Sequence, residues 1–426
     1  MTLAVFLGSL LGAMAIGIPI AFSLLVCGVA LMWYQGLFDA QILAQNLIGG
    51  ADNYPLLAVP FFLLAGEIMN VGGLSKRIVE FAMALVGHIR GGLGYVAIVA
   101  PILLSALSGS AVADAAALSA LLLPMMIAAG HQPARSAGLI AAAGTIAPIL
   151  PPSIGLIIFG VAANVSISKL FLAGIFPGLL IGLSLWITWA IVARHENIVP
   201  PARKNRRELW DAFRRCGWAL MLPIIILVGL RFGVFTPTEA GVVAAVYALV
   251  VSIFVYRALK PSQLYGVFAS AAKTTAVVMF LVAAAMVSAW LITVADLPSK
   301  VVDLLQPLMG SPILLMAAIM VLVMIVGTAM DMTPTILILT PVLMPVVRAA
   351  GIDPVYFGVL FITNNAIGLV TPPVGVVLNV VAGVGKLSMD LVTRGVLPFM
   401  LAQFIILFLM VLFPGLVMWP ARLFHG

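Results

Sequence analysis

Residues 105–126 read SALSGSAVADAAALSALLLPMM and residues 138–160 read GLIAAAGTIAPILPPSIGLIIFG, with the polar break HQPARS at 131–136 between them. Both stretches are apolar enough for a bilayer. Yet the first carries Ser108-Gly109-Ser110 and Asp114 in its middle, and the second carries Pro148, Pro151 and Pro152. Backbone that leaves helical geometry at membrane depth has to be buried in protein or line a wet cavity, because each unpaired amide group otherwise costs several kcal/mol. The pair therefore predicts a helical hairpin followed by a broken helix, both enclosed by the rest of the chain.

The same construction recurs downstream at a constant offset of 221 residues. Pro124 pairs with Pro345, Gly130 with Gly351, Pro133 with Pro354, Pro151 and Pro152 with Pro372 and Pro373, Gly174 with Gly395 and Pro177 with Pro398. Duplicated bundles with helices broken at matching places mark a secondary transporter whose site lies where the breaks meet.

Composition supports this class. The chain has 426 residues, of which 64% are hydrophobic and 8% charged, and its mean hydropathy is +1.24. These values exclude a soluble fold and predict an all-α polytopic membrane protein. The net charge of +7 falls in short polar breaks, so it reports topology rather than nucleic-acid binding. Cys27 and Cys216 support neither a disulfide framework nor a thiolate metal site. The N-terminus has no basic n-region, so a cleaved signal peptide is not expected and the chain start is expected on the periplasmic side.

In chain order, the first repeat covers 1–193. It holds scaffold helices within 1–73, an amphipathic strut at 74–91 along the membrane surface, a hairpin at 93–130, a broken helix at 136–164 and a span at 170–192. The segment 194–217, RHENIVPPARKNRRELWDAFRRCG, is the most charged and reads as a cytoplasmic linker. The second repeat covers 218–426, with scaffold at 218–294 whose last apolar span is 271–294, strut at 296–309, hairpin at 312–350, broken helix at 355–383 and span at 391–418. Basic residues on both sides of 93–130 make that hairpin re-entrant. The first repeat then has an odd number of full crossings, so the repeats are inverted, with about ten full transmembrane spans plus two re-entrant hairpins.

Proline lacks an amide hydrogen and blocks the carbonyl four residues earlier. Pro151 and Pro152 are thus expected to release the carbonyls of Ala147 and Pro148, and Pro372 and Pro373 those of Gly368 and Leu369. Such oxygens suit a hard monovalent cation such as sodium, and plain proline kinks are the alternative. At the tips, Ser108, Gly109 and Ser110, and Asp331, Thr333 and Thr335, offer hydroxyls and open backbone. The same side chains also suit capping or bonding to a nearby carbonyl. Asp114 and Asp331 are costly in hydrocarbon and point to function or to a cap at a wet helix end. Asn364 and Asn365 precede the second break, where their amides can meet a cation or a substrate carboxylate, or join helices. Ser153 and Thr371 flank the breaks and belong to the same candidate set, as does Gly327. Glu67 and Glu239 read either as transport residues or as structural anchors. The four histidines are scattered and read as solvated or interfacial.

Taken together, PFFLLAGEIMNVGGLSKRIV at 60–79, LSGSAVADAAA at 107–117, IAPILPPSIGLIIFG at 146–160, FTPTEAGVVAAVYAL at 235–249 and GLVTPPVG at 368–375 resemble the large membrane subunit of tripartite ATP-independent periplasmic (TRAP) transporters. The resemblance covers essentially the whole chain. It implies a sodium-driven importer of a small carboxylate, a sugar acid such as 2,3-diketo-L-gulonate or a C4-dicarboxylate, working as an elevator in the bacterial inner membrane. It also implies Na+ as coupling ion with no other cofactor, and two partners: a small four-helix membrane subunit and a periplasmic substrate-binding protein, alongside membrane lipids. By motif, the family's sodium sites fall on Ser108-Gly109-Ser110 with 144–152, and on Gly327 to Thr333 with 364–372. Rival classes fare worse. Gly383-Val384-Gly385-Lys386-Leu387 lacks the pattern of a nucleotide-binding loop, so no ATP-driven pump is expected. An intramembrane aspartyl protease built on Asp114 and Asp331 does not suit two hairpin tips, and an ion channel would not need a binding protein.

Overall fold

The structure, a computed structural model, describes residues 2–196 and 203–425, and these contain helices and connecting turns but no strand. The first repeat comprises α1 (Thr2–Ala15), α2 (Ile20–Tyr34), α3 (Ala40–Ala51), α4 (Ala58–Val71), α5 (Leu74–Val86), α6 (Gly92–Ser108), α7 (Ala111–Ala128), α8 (Pro133–Gly144), α9 (Ile154–Ala163) and α10 (Ile167–Val192). The second comprises α11 (Arg206–Arg231), α12 (Pro237–Val250), α13 (Pro261–Val294), α14 (Leu297–Leu305), α15 (Pro312–Gly327), α16 (Met332–Ala349), α17 (Pro354–Gly368), α18 (Val376–Gly385), α19 (Met389–Leu412) and α20 (Gly415–His425).

Three elements differ from the sequence reading. Helix α3 was not anticipated; Asp39 caps it by accepting hydrogen bonds from the amides of Gln41 and Ile42. Helix α11 starts inside the charged stretch taken as linker. There Asn205 and Glu208 form a reciprocal capping box, and good helix formers follow, so charge does not interrupt the helix. Helix α13 begins at Pro261, ten residues before the expected apolar start at 271, because Pro at its first position suits helix initiation.

Among the described residues eight helices are long and apolar enough to cross a membrane, and they include α7 and α16, which are hairpin arms. The halves α8 with α9, and α17 with α18, are individually too short. Length therefore cannot separate a crossing from a hairpin arm in this chain.

Packing divides the helices into two groups. Helices α2, α3 and α4 pack on α13, and α4 also packs on α12. The second group is built by reciprocal pairs: α8 packs on α19 and α17 on α10, while α7 packs on α18 and α16 on α9. Each pair maps onto the other by exchange of the two repeats, so each hairpin's second arm seats against the other repeat's broken helix. Phe159 of α9 meets Phe357 and Phe361 of α17, with ring centroids 6.0 and 5.7 Å apart, and all three rings are fully buried. Without a hydrophobic force between helices in lipid, such dispersion contacts hold the broken helices together.

The struts join the groups. The apolar face of α5, with Leu74, Ile78, Val79 and Ala82 buried, lies against α11 and α6, and α14 bridges α13 and α16. At the open end of the first hairpin, His131 Nδ1 lies 2.6 Å from Glu196 Oε2, and Arg90 donates to the carbonyls of Arg194 and Glu196. His131, expected to be solvated or interfacial, is thus buried and partnered, and its partner Glu196 lies 65 residues away in sequence. Glu196→Ala is expected to lower stability by about 1–3 kcal/mol, since it strands a buried imidazole. Thermal unfolding in detergent measures this.

Candidate functional site

The first tip is a sharp reversal between α6 and α7. Gly109 takes φ 55° and ψ 14°, in the left-handed region, where any side chain is strained. Ser110 is extended and caps α7, its Oγ accepting from the Ala113 amide at 3.3 Å. Asp114 follows in the first turn of α7 and is buried, where the amide ends of the helix favour its charge. The side chain of Ser108 lies outside the described residues. A Cβ placed on Gly109 would lie 3.1 Å from the Pro152 carbonyl oxygen, 3.2 Å from the Ile154 nitrogen and 3.2 Å from the Ser153 Cα. The tip therefore rests directly on the first break, backbone against backbone.

That break runs from Thr145 to Ser153 and contains a cis Pro151–Pro152 bond; its counterpart Pro372–Pro373 is also cis. The expected release of carbonyls is realised only in part. The Pro148 carbonyl accepts from the Ser153 hydroxyl, Gly368 from the Thr371 amide at 3.0 Å and Leu369 from the Val377 amide at 3.0 Å. Local turns and a side chain re-use what proline leaves open. Among the described residues no hydrogen bond reaches the Ala147 carbonyl. Ser153, which is fully buried, also caps α9 through the Leu156 amide.

At the second tip Asp331, the counterpart of Ser110, caps α16 by accepting from the Met332 amide at 2.8 Å. It is exposed. Thr335, the counterpart of Asp114, is buried and donates to the Asp331 carbonyl at 2.8 Å. Thr333 is half-buried in the same turn. Gly327 meets the second break: a Cβ there would lie 3.4 Å from Asn365 Oδ1 and 3.4 Å from the Gly368 Cα, and one on Gly368 would lie 3.0 Å from the Gly327 carbonyl oxygen. Thr371 donates its hydroxyl to the Ile367 carbonyl at 2.8 Å.

Two asparagines fill the core of this junction, both with no exposed surface. Asn364 donates to the Met320 carbonyl, the helix-joining role. Asn365 is different: among the described residues neither its Oδ1 nor its Nδ2 has a hydrogen-bond partner. Leaving such a group without a partner costs about 1–3 kcal/mol. The first repeat carries Ala143 and Gly144 at the matching positions. The two junctions therefore share backbone geometry but not side-chain chemistry.

Cavities lie between the hairpins and the scaffold helices, beside the direct packing of α16 on α13 and of α6 on α4. One, of about 210 Å³, is lined by Ser110, Ala113 and Asp114 of the first hairpin and by Glu67, Asn70 and Thr274 opposite. Glu67 accepts from the Ser270 hydroxyl at 2.9 Å. A second, of about 620 Å³, lies between α13, α16 and the end of α9, with Arg348 and Asn164 on its wall. Glu239 takes the anchoring role: its Oε2 accepts from the amide and hydroxyl of Thr236 at 2.7 and 2.9 Å.

The family model described as "Tripartite ATP-independent periplasmic transporter, DctM component" matches residues 7–416. The chain belongs to this family. It is 57% identical over 422 residues to the 2,3-diketo-L-gulonate TRAP transporter large permease protein of Escherichia coli K12, covering 99% of each chain. It is 38% identical to the C4-dicarboxylate TRAP transporter large permease protein of Pseudomonas aeruginosa, covering 88% of each. Among solved structures the Alcanivorax borkumensis YdaH transporter superposes with a TM-score of 0.64, covering 90% of this chain and 91% of that one, at 17% identity; that likeness shows the fold alone. A TRAP large permease is a multi-pass protein of the bacterial inner membrane, and these relatives are named as permeases rather than enzymes.

One site residue escaped the sequence reading. Gln403 of α19, fully buried, donates through Nε2 to the Ala142 carbonyl at 3.0 Å and to Thr145 Oγ1 at 2.9 Å, so the second repeat holds the start of the first break. The signal was available, since an uncharged amide inside LAQFIILF is an expensive residue for an apolar helix. Gln403→Leu is expected to leave the chain folded while loosening residues 142–150, seen as faster amide exchange there than elsewhere in α8.

Proposed function

We propose that this subunit carries a small carboxylate across the membrane on a sodium gradient, by an elevator motion of the hairpin and broken-helix group against the α2–α4 and α11–α13 scaffold. Sugar acids such as 2,3-diketo-L-gulonate are the substrates best supported, because the 57% identical relative is named for that compound; C4-dicarboxylates are second, on the more distant relative. The small four-helix membrane subunit and the periplasmic binding protein complete the machine.

The observation that carries this reading is the unpartnered Asn365 amide at the contact of Gly327 with Gly368. An amide oxygen with closely approaching backbone is a donor set for sodium, a hard monovalent cation that takes oxygen ligands. Charge gives coupling its cause: a carboxylate arriving without cations would carry unpaired charge through a low-dielectric path.

Proteoliposomes holding both membrane subunits, supplied with binding protein and a sugar acid, should accumulate substrate only when an inward sodium gradient is imposed. Equal accumulation under a potassium gradient would overturn sodium coupling. This chain reconstituted alone should give no gradient-driven uptake. Topology has its own check: a cysteine introduced at Asn205 should resist an impermeant reagent added to intact spheroplasts, because the start of α11 faces the cytoplasm.

A further inference from the structure

The transport reading leaves unused an apolar groove at the charged end of α11. It has a volume of about 320 Å³ and is lined by Phe81 and Leu85 of α5 and by Arg206, Leu209, Trp210 and Phe213 of α11. The Phe81 and Phe213 rings lie 5.8 Å apart and those of Trp210 and Phe213 5.5 Å apart. Trp210 is nevertheless 63% exposed. The walls are carbon, and the single charged group among them is a guanidinium.

Charge around the groove is unbalanced. Lys204 and Arg215 share a neighbouring cavity with Glu80, Glu208 and Asp211. Arg203, Arg206, Arg207 and Arg214 are exposed, and among the described residues none of them forms a salt bridge. Nor do Arg206 and Arg207 serve their own helix, since positive side chains at a helix start oppose its dipole. From Cys216 onward α11 turns apolar and exposes Trp218, Met221, Ile224 and Val228. The groove thus sits where the helix passes from charged to apolar, the level of lipid headgroups for a spanning helix. An amphiphile with a negative head and a hydrocarbon tail matches both features at once.

We infer that this groove binds an anionic phospholipid, its phosphate held by Arg206 and Arg207 and one acyl chain laid along Phe81, Leu85, Trp210 and Phe213. Guanidinium groups bind phosphate oxygens through paired donors, and unpaired cations at the headgroup level favour a net-negative lipid over a zwitterionic one. The lipid would lie in the joint between α5 and α11, where the strut meets the scaffold.

The test is native mass spectrometry of the full chain in detergent, titrated with phosphatidylglycerol or with phosphatidylcholine. The wild type should retain phosphatidylglycerol preferentially. Arg206→Gln combined with Arg207→Gln should weaken phosphatidylglycerol retention by about fivefold per arginine, roughly twenty-five-fold in all, and phosphatidylcholine retention by less, because the choline cation offsets the charge of its phosphate. Trp210→Ser should weaken both lipids, separating the tail contact from the head contact. Equal retention of the two lipids by the wild type would overturn the inference, as would an unchanged preference in the double variant, which would leave the arginines as markers of topology only. Photo-crosslinking from position 210 to the small membrane subunit, with loss of bound lipid on its addition, would also overturn it and make the groove a protein interface.

Discussion

Asn365→Leu is expected to shift the sodium response of transport to at least about tenfold higher sodium while leaving the protein as stable as the wild type or more so. The two effects have one cause. Asn365 is fully buried and, among the described residues, has no hydrogen-bond partner, so replacement by an apolar side chain of similar size removes an unmet polar group that costs the folded chain about 1–3 kcal/mol. If that amide oxygen binds the coupling ion, the same change removes a contact to a charge of about 1.5–3 kcal/mol, or roughly ten- to 150-fold in sodium affinity. Thermal unfolding and sodium-dependent uptake on the same preparation read both. A variant that loses stability and keeps its sodium curve would make Asn365 a packing residue.

Gly109→Val is expected to reduce uptake to background without preventing membrane insertion. A β-branched residue in the left-handed region costs about 1–2 kcal/mol, and here the new carbons meet the backbone of Pro152, Ser153 and Ile154, which cannot rotate away. A combined cost of ~3 kcal/mol would reduce the fraction of tips seated on the break by about a hundredfold. Gly130→Val supplies the control, because Gly130 also has positive φ, 94°, but nothing lies within 4 Å of its Cβ position. Comparable loss in both variants would show that backbone strain, and not tip-to-break contact, governs transport.

The repeat, the hairpins and the breaks were legible because Gly and Pro constrain backbone locally, so matching positions survive as letters in the sequence. Gly109, Gly327 and Gly368 have no glycine at their 221-residue counterparts; they were legible as open backbone beside the tips and breaks, and the structure sets Gly109 against Pro152, Ser153 and Ile154 and Gly327 against Gly368. What was not legible depends on contacts far apart in the chain. The partner of Gln403 lies 261 residues away, and the Ser153 hydroxyl that occupies the Pro148 carbonyl acts through a turn no propensity encodes. Nor could the sequence show that Asn364 has a partner and Asn365 has none, since adjacent residues on a helix point about 100° apart and only the packed neighbours decide. The capping role of Asp331 was one of two open readings, and its exposure beside the Met332 amide favours the cap.

If the tip-and-break junctions hold the sodium ions, the sodium dependence of uptake reports on them most directly. Uptake at fixed substrate should be measured in proteoliposomes with both membrane subunits and the binding protein, for the wild type, Ser110→Ala, Asn365→Leu, Thr371→Ala and Asp331→Asn. The first three variants should need more sodium for half-maximal rate and show a shallower dose response. Asp331→Asn should follow the wild type, because asparagine caps a helix about as well as aspartate. Sodium curves for Ser110→Ala, Asn365→Leu and Thr371→Ala that superpose on the wild type would contradict the account.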